Sequence, residues 1–268
     1  MQTAAIEAEE FLRSGDPTRA LSALQSAIRQ RPADAQLRVF LAQLLMVLGQ
    51  WERAVQQLSV LGEMDASALP MVYTYRAAVQ CELLRRAVFA GQRSPLVFGE
   101  PEGWIARLIQ ALSADASGNA AEAAELRERA FEEAVGTAGR INSQSFEWIA
   151  DADSRLGPVL EAMLDGGYYW IPFRRIRRIV IEPPENLGDL VWTPAQFTWT
   201  NDGQAIGHIP TRYVGSEGAD DELRLGRKTE WRPLEGEGFT GLGQRVLATD
   251  VDEVALLDVR DLVFDEQG

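Results

Sequence analysis

A chain of 268 residues, 46% apolar and 25% charged, can bury a substantial core as one large or two modest domains, which excludes disorder as its default. A net charge of −14, from 26 Lys and Arg against 40 Asp and Glu, excludes nucleic acid as the main partner, because duplex binding needs a basic footprint. One cysteine, Cys81, and one histidine, His208, exclude an intrachain disulfide framework and a cysteine metal cluster, and leave no basis for a histidine site.

The amino terminus, MQTAAIEAEEFL, is acidic and has no apolar run behind a basic start, so no signal peptide is expected. The longest apolar stretch, Leu37 to Leu48, is too short and interrupted to span a bilayer. A cytoplasmic protein without membrane contact is the expectation. Shifting the chain on itself by 34 residues places Ala8 on Ala42, Phe11 on Leu45, Gly15 on Gly49, Ala20 on Ala54 and Leu24 on Leu58. That period, with small residues where paired helices cross and Gly at the turn, is the tetratricopeptide helix–turn–helix pattern. A looser third copy falls on Ala111, Gly118, Ala123 and Ala130, after a long helix over Met71–Ala90. Such an array is either a plain helical bundle or a groove that holds a partner's helix or extended peptide.

The pattern changes between Phe146 and Phe197. Pro158 after Gly157 predicts a short hinge helix over 157–165, ending at Gly166 and Gly167. Beyond it, YYWIPF and IVIEPP read as strands with FRRIRRI a turn or short helix between them. Further strands are expected over Leu190–Thr200, Ala205–Tyr213, Thr229–Arg232, Gln244–Ala248 and Val254–Phe264, with a short helix over Asp220–Arg227. The fold class is therefore α+β: tetratricopeptide-like hairpins over 1–140, packed on a mainly antiparallel β domain over 141–268. Acid is concentrated late in the chain. From Glu182 onward 18 Asp and Glu face seven Lys and Arg.

No catalytic set emerges from these residues. Asp151-Ala-Asp153 resembles the carboxylate pair of phosphotransfer hydrolases, in which one carboxylate attacks and the other moves protons. That chemistry needs a buried strand before the pair and a lysine after it, and the chain's one lysine is Lys228. The other reading is a structural ion-pair network of Asp151, Asp153 and Arg155, joined by the arginine cluster Arg174, Arg175, Arg177 and Arg178. The string Gly236-Glu237-Gly238-Phe239-Thr240-Gly241 has dinucleotide-loop spacing, but its flanks are acidic and no helix follows, so a turn is expected. Tyr168, Tyr169, Trp170 and Arg174 are of the residue types enriched in interface hot spots and mark a candidate protein-binding surface. Neither a cofactor nor a metal is expected.

In order along the chain, WIADADSRLGPVLEAML, GGYYWIPFRRIRRI, IEPPENLGDLVWTPAQFTW, IPTRY, RKTEW and GLGQR resemble the ImpE/SciE family, also called TagJ. The resemblance implies a cytoplasmic, non-enzymatic, virulence-associated accessory protein of bacterial type VI secretion. It also implies two partners: the N-terminal helix of the small sheath subunit (TssB-like) and the ClpV-type ATPase that disassembles the contracted sheath. The expected function is therefore an adaptor in sheath disassembly. A hydrolase using Asp151 and Asp153, or a purely structural scaffold, are the alternatives.

Overall fold

The computed structural model describes residues 3–100, 102–234 and 238–265. Its first part is a series of helical hairpins. Helix α1 (Thr3–Arg13) pairs with α2 (Pro17–Gln30), α3 (Ala35–Val47) with α4 (Trp51–Met64), and α6 (Gly103–Ala116) with α7 (Ala120–Glu133), while α5 (Leu69–Phe89) stands between the second and third pairs. Two of these starts have a clear local cause. Asp16 caps α2 by accepting the Arg19 N–H at 2.8 Å, with Pro17 at the first helical position, and Asp34 caps α3 through the Leu37 N–H at 3.2 Å. The equivalent turn glycines Gly15 and Gly49 take φ of +85° and +66°, which a side chain would resist. Ala8 and Ala42, Ala20 and Ala54, and Leu24 and Leu58 are all buried, so the 34-residue pattern marks the helix crossings. The looser third copy is a hairpin too.

The second part is built on a mixed nine-stranded sheet. The strands are β1 (Leu96–Val97), β2 (Gly139–Ile141), β3 (Gln144–Phe146), β4 (Ile149–Asp151), β5 (Val159–Leu164), β6 (Gly167–Pro172), β7 (Ile176–Val180), β8 (Trp192–Trp199) and β9 (Gln204–Pro210). After the short helix α8 (Asp221–Arg224) come β10 (Thr229–Pro233), β11 (Phe239–Gly243), β12 (Val246–Thr249), β13 (Glu253–Ala255) and β14 (Asp261–Phe264). The large sheet runs β1-β6-β5-β9-β8-β7-β14-β2-β3, antiparallel except for the β1–β6 pair. A β13-β12-β4 sheet and a β10–β11 hairpin complete the fold.

The expected hinge helix over 157–165 is a strand. VLEAML reads as helical because Leu, Glu, Ala and Met are good helix formers, but it lies between β6 and β9 and is buried on both sides. Val159 and Met163 join the core shared with the helices, whereas Leu160, Ala162 and Leu164 join the core on the sheet's other face. The overlooked signal is Asp165-Gly166, a two-residue loop with both φ positive (+47° and +76°), the geometry of a tight hairpin. FRRIRRI likewise divides into a single 3-10 turn and strand β7. The last expected strand, Val254–Phe264, is broken into β13 and β14 by a 3-10 turn at Leu256–Asp258.

Candidate functional site

The Asp-x-Asp pair lies at the end of β4 and just beyond it. Asp151 and Asp153 are 3% and 0% exposed. Asp151 pairs with Arg245 and accepts the Tyr213 hydroxyl at 3.1 Å. Asp153 pairs with Arg155 at 2.5 Å and accepts the Gly241 N–H at 3.1 Å. Each carboxylate is thus buried and engaged by arginine; Asp151 borders a groove beside the end of α7, but its side chain is turned to Arg245 and 0% exposed. The arginines of the 174–178 cluster do not reach this pair. Arg174 and Arg175 contact Glu102, Arg177 pairs with Asp202, and Arg178 with Asp261 at 2.6 Å.

The pair is instead one end of a network between the helices and the sheet. Glu161, at the centre of β5, accepts Arg85 Nε at 2.7 Å and also pairs with Arg245. The Tyr168 hydroxyl donates to Glu161 at 2.5 Å and accepts the Trp170 indole N–H at 2.7 Å. Arg85 also pairs with Glu82, which accepts the Trp192 indole at 3.2 Å, and donates to the Arg212 carbonyl at 2.9 Å. Burial alone would raise the Glu161 carboxyl, but Arg85 and Arg245 outweigh it and hold the group near pH 2. Burial wins at Asp151. Helped by the charge of Asp153 and opposed by Arg245, it pushes that carboxyl up to about 6. Burial also pushes Cys81 up to about 11 and His208, a β9 residue, below its ordinary value.

Two of the four residues expected to dock a partner face inward. Tyr168 and Trp170 are 0% exposed, Trp170 packing on Phe89 of α5. Tyr169 is half-buried against Phe98, and Arg174 is held by Glu102 with Nε–Oε1 at 3.0 Å. The cluster therefore joins the two parts of the fold, and the expectation of a surface built on all four is corrected. Sequence reasoning read aromatic and arginine residues as interface anchors, but those types also fill internal seams. Of the dinucleotide-like string, Gly236 and Glu237 lie outside the described residues, and Phe239–Gly241 belong to strand β11.

An open groove of about 690 Å³ lies between the helical array and the segment Pro184–Leu190. One wall is α1 and α3, the first helices of the two clear repeats, which contribute Leu12, Leu37, Val39 and Phe40. The other wall is the EPPENLGDL stretch, whose two prolines keep it out of regular ladders. Asn186 pins that wall. Its Oδ1 accepts Gln43 Nε2 of α3 at 3.0 Å, the Tyr75 hydroxyl of α5 at 3.2 Å and the Gly188 N–H at 2.8 Å. Asp189 Oδ2 accepts the N–H groups of Glu185 (2.8 Å) and Asn186 (3.2 Å), which tightens the turn. A Cβ at Gly188 would lie 2.2 Å from the Tyr75 oxygen, so only glycine lets the wall approach α5. The groove thus combines apolar anchors with a few fixed polar groups, as a site for an amphipathic segment requires. Phe40, Gln43 and Asn186 were not singled out from sequence; the available signal was the long Pro-, Asn- and Gly-containing stretch between two strands.

Comparison with known proteins bears on the same two walls. Residues 143–263 match the family model described as ImpE protein, and residues 11–78 match a tetratricopeptide repeat. The chain is 51% identical over 262 residues to the type VI secretion system accessory component TagJ of Pseudomonas aeruginosa, covering 97% of this chain and 92% of that one. Its fold matches the crystal structure of protein VPA1032 from Vibrio parahaemolyticus with a TM-score of 0.90, at 28% identity, over 97% of this chain and 98% of that chain.

Proposed function

This chain belongs to the ImpE family, and from that premise we propose that it is a non-enzymatic adaptor binding the N-terminal helix of the small (TssB-like) sheath subunit. Its role is accessory to type VI secretion. In the proposed mechanism, which operates in the cytoplasm, the adaptor presents the sheath protein to a ClpV-type ATPase and so assists sheath disassembly. The observation that carries this reading is the groove between α1, α3 and the Pro184–Leu190 wall. It is one of the places where the repeat-matched and ImpE-matched parts of the chain meet.

Binding follows from the lining. Val39, Phe40 and Leu187, each partly exposed, would take the apolar face of a short helix, removing that surface from water. Gln36 and Glu185 stand beside the apolar positions, and Glu9 and Arg13 lie on α1, where they would set the register of the bound segment. No observation favours the hydrolase reading, since both carboxylates are enclosed.

Calorimetric titration with a synthetic peptide of the cognate sheath subunit's N-terminal helix tests the proposal. Binding should be micromolar or tighter and should weaken about tenfold or more in Phe40→Asp, because a buried charge replaces an apolar anchor. It should vanish when the peptide's apolar face is changed to serine. No heat with the native peptide, or binding indifferent to Phe40→Asp, would refute the groove as the site.

A further inference from the structure

A second apolar groove, of about 360 Å³, lies far along the chain from the first and shares no residue with it. It is bounded by the end of α7 and by the segments on either side of β4, with Phe131, Val135, Trp148 and Pro158 among its lining residues. Phe131, Val135 and Trp148 are 38%, 60% and 43% exposed. Large apolar side chains gathered on a surface depart from the scattered exposure normal in a soluble protein. The local backbone is shaped for it. A Cβ at Gly157, where φ is +56°, would lie 2.3 Å from the Phe131 ring, so glycine lets that ring rest on the backbone.

The surroundings are acidic. Glu128 lies one turn before Phe131 on α7, and Glu132 follows it. Glu147 precedes Trp148, and Asp250 accepts the N–H of Glu147 at 2.7 Å, which brings a further carboxylate to the same point. Across the small sheet, Ala150, Ala248 and Glu253 are in register, so Glu253 shares a face with two alanines that line the groove. Among the described residues, none of Glu128, Glu132, Glu147 and Glu253 is in an ion pair. On the helical side, Arg107, Arg127 and Arg129 are engaged by Glu133, Asp115 and Glu125.

We propose that this groove is a second docking site, which takes a short apolar peptide segment flanked by Lys or Arg from a partner protein. The apolar floor would hold one or two large side chains, and the unpaired carboxylates would draw the flanking cations. Trp148 adds a ring face on which a guanidinium can stack. A second copy of this chain does not suit the site, because a symmetric contact would set each acidic rim against its own likeness. With two separate grooves, one chain can hold two proteins at once.

The test uses the full-length protein labelled with nitrogen-15 and two synthetic peptides, Arg-Arg-Leu-Phe-Leu-Arg-Arg and Glu-Glu-Leu-Phe-Leu-Glu-Glu. The Trp148 indole resonance, assigned by its loss in Trp148→Phe, should shift with the arginine peptide and not with the glutamate peptide. Val135→Asp should weaken that binding about tenfold, as loss of an anchor does. The double variant Glu128→Lys, Glu132→Lys leaves the apolar floor intact and, with two lysines set against the remaining carboxylates, should abolish the preference between the peptides. An unmoved indole, an equal response of the unsubstituted protein to both peptides, or a preference that survives both variants would overturn the proposal. So would an indole shift produced by protein concentration alone, which would make a second copy the occupant. None of these results bears on the α1–α3 groove.

Discussion

Glu161 and Asp151 lie on one chain of ion pairs yet answer pH in opposite directions. Glu161 is held at about 2, below the ordinary 4.5, so its contribution to stability is present above pH 4.5 and is lost as pH falls through 2. Asp151 is raised to about 6 from 3.8, so its contribution is complete below pH 3.8 and is lost as pH rises through 6. The Asp151 carboxylate is costly because it gives up water and sits beside Asp153, and Arg245 offsets only part of that cost. In urea titrations of the native chain, Asp151 should therefore produce a decline in stability between about pH 4 and 6, on the order of 1–3 kcal/mol. In Asp151→Asn that decline should be absent, while the loss below pH 4.5 remains. An unchanged profile in the variant would mean that Asp151 is not the group responsible.

At the scale of elements, the Pro184–Leu190 wall shows how a segment without regular structure can be fixed. Its shape rests on Asn186 and Asp189: both accept backbone N–H groups within the turn, and Asn186 also bonds Gln43 and Tyr75 on two different helices. Replacing Asn186 removes several of these bonds at once and leaves Gln43 and Tyr75 short of a partner. Asn186→Ala should cost about 1–3 kcal/mol in global stability, read by denaturant unfolding. Because the loss falls on one wall of the groove, it should also weaken the proposed binding of the sheath peptide. A variant as stable as the parent would show that the wall is held by its apolar contacts alone. Strand β5 makes a related point. Its composition favours a helix, but the Asp165-Gly166 hairpin and burial on both faces outweigh an intrinsic preference worth only tenths of a kcal/mol per residue.

Across the whole molecule, one apolar core runs from the helices into the sheet. It includes Leu24 and Leu58 from the repeats, Trp51 and Tyr75 at the seam, and Tyr168, Trp170 and Trp192 from the strands. Trp192 lies 5.8 Å from Trp51 and 6.3 Å from Tyr75 between ring centroids, and Arg85 of α5 is bonded to Glu161 of β5. Removing the sheet would expose these rings and leave Arg85 and Glu82 without the partners that make their burial tolerable. Urea unfolding followed by helical circular dichroism and by tryptophan fluorescence should therefore give coincident transitions. Two separated transitions would mean that the helical array is stable without the sheet.

Local chemistry determined much of this chain. The 34-residue period, the capping aspartates and the turn glycines specify the helical hairpins, because those interactions are between near neighbours in sequence. Alternation and turn residues likewise placed most of the strands after residue 190. What the tertiary structure alone decided was which side of each element is covered. Tyr168 and Trp170 have the composition of an interface, and only the arrival of α5 makes them core. Asp151 finds its cation at Arg245, 94 residues away, rather than in the nearby cluster. The main groove joins helices near the amino terminus to a loop after residue 183, and such pairings depend on chain topology, which no local pattern encodes.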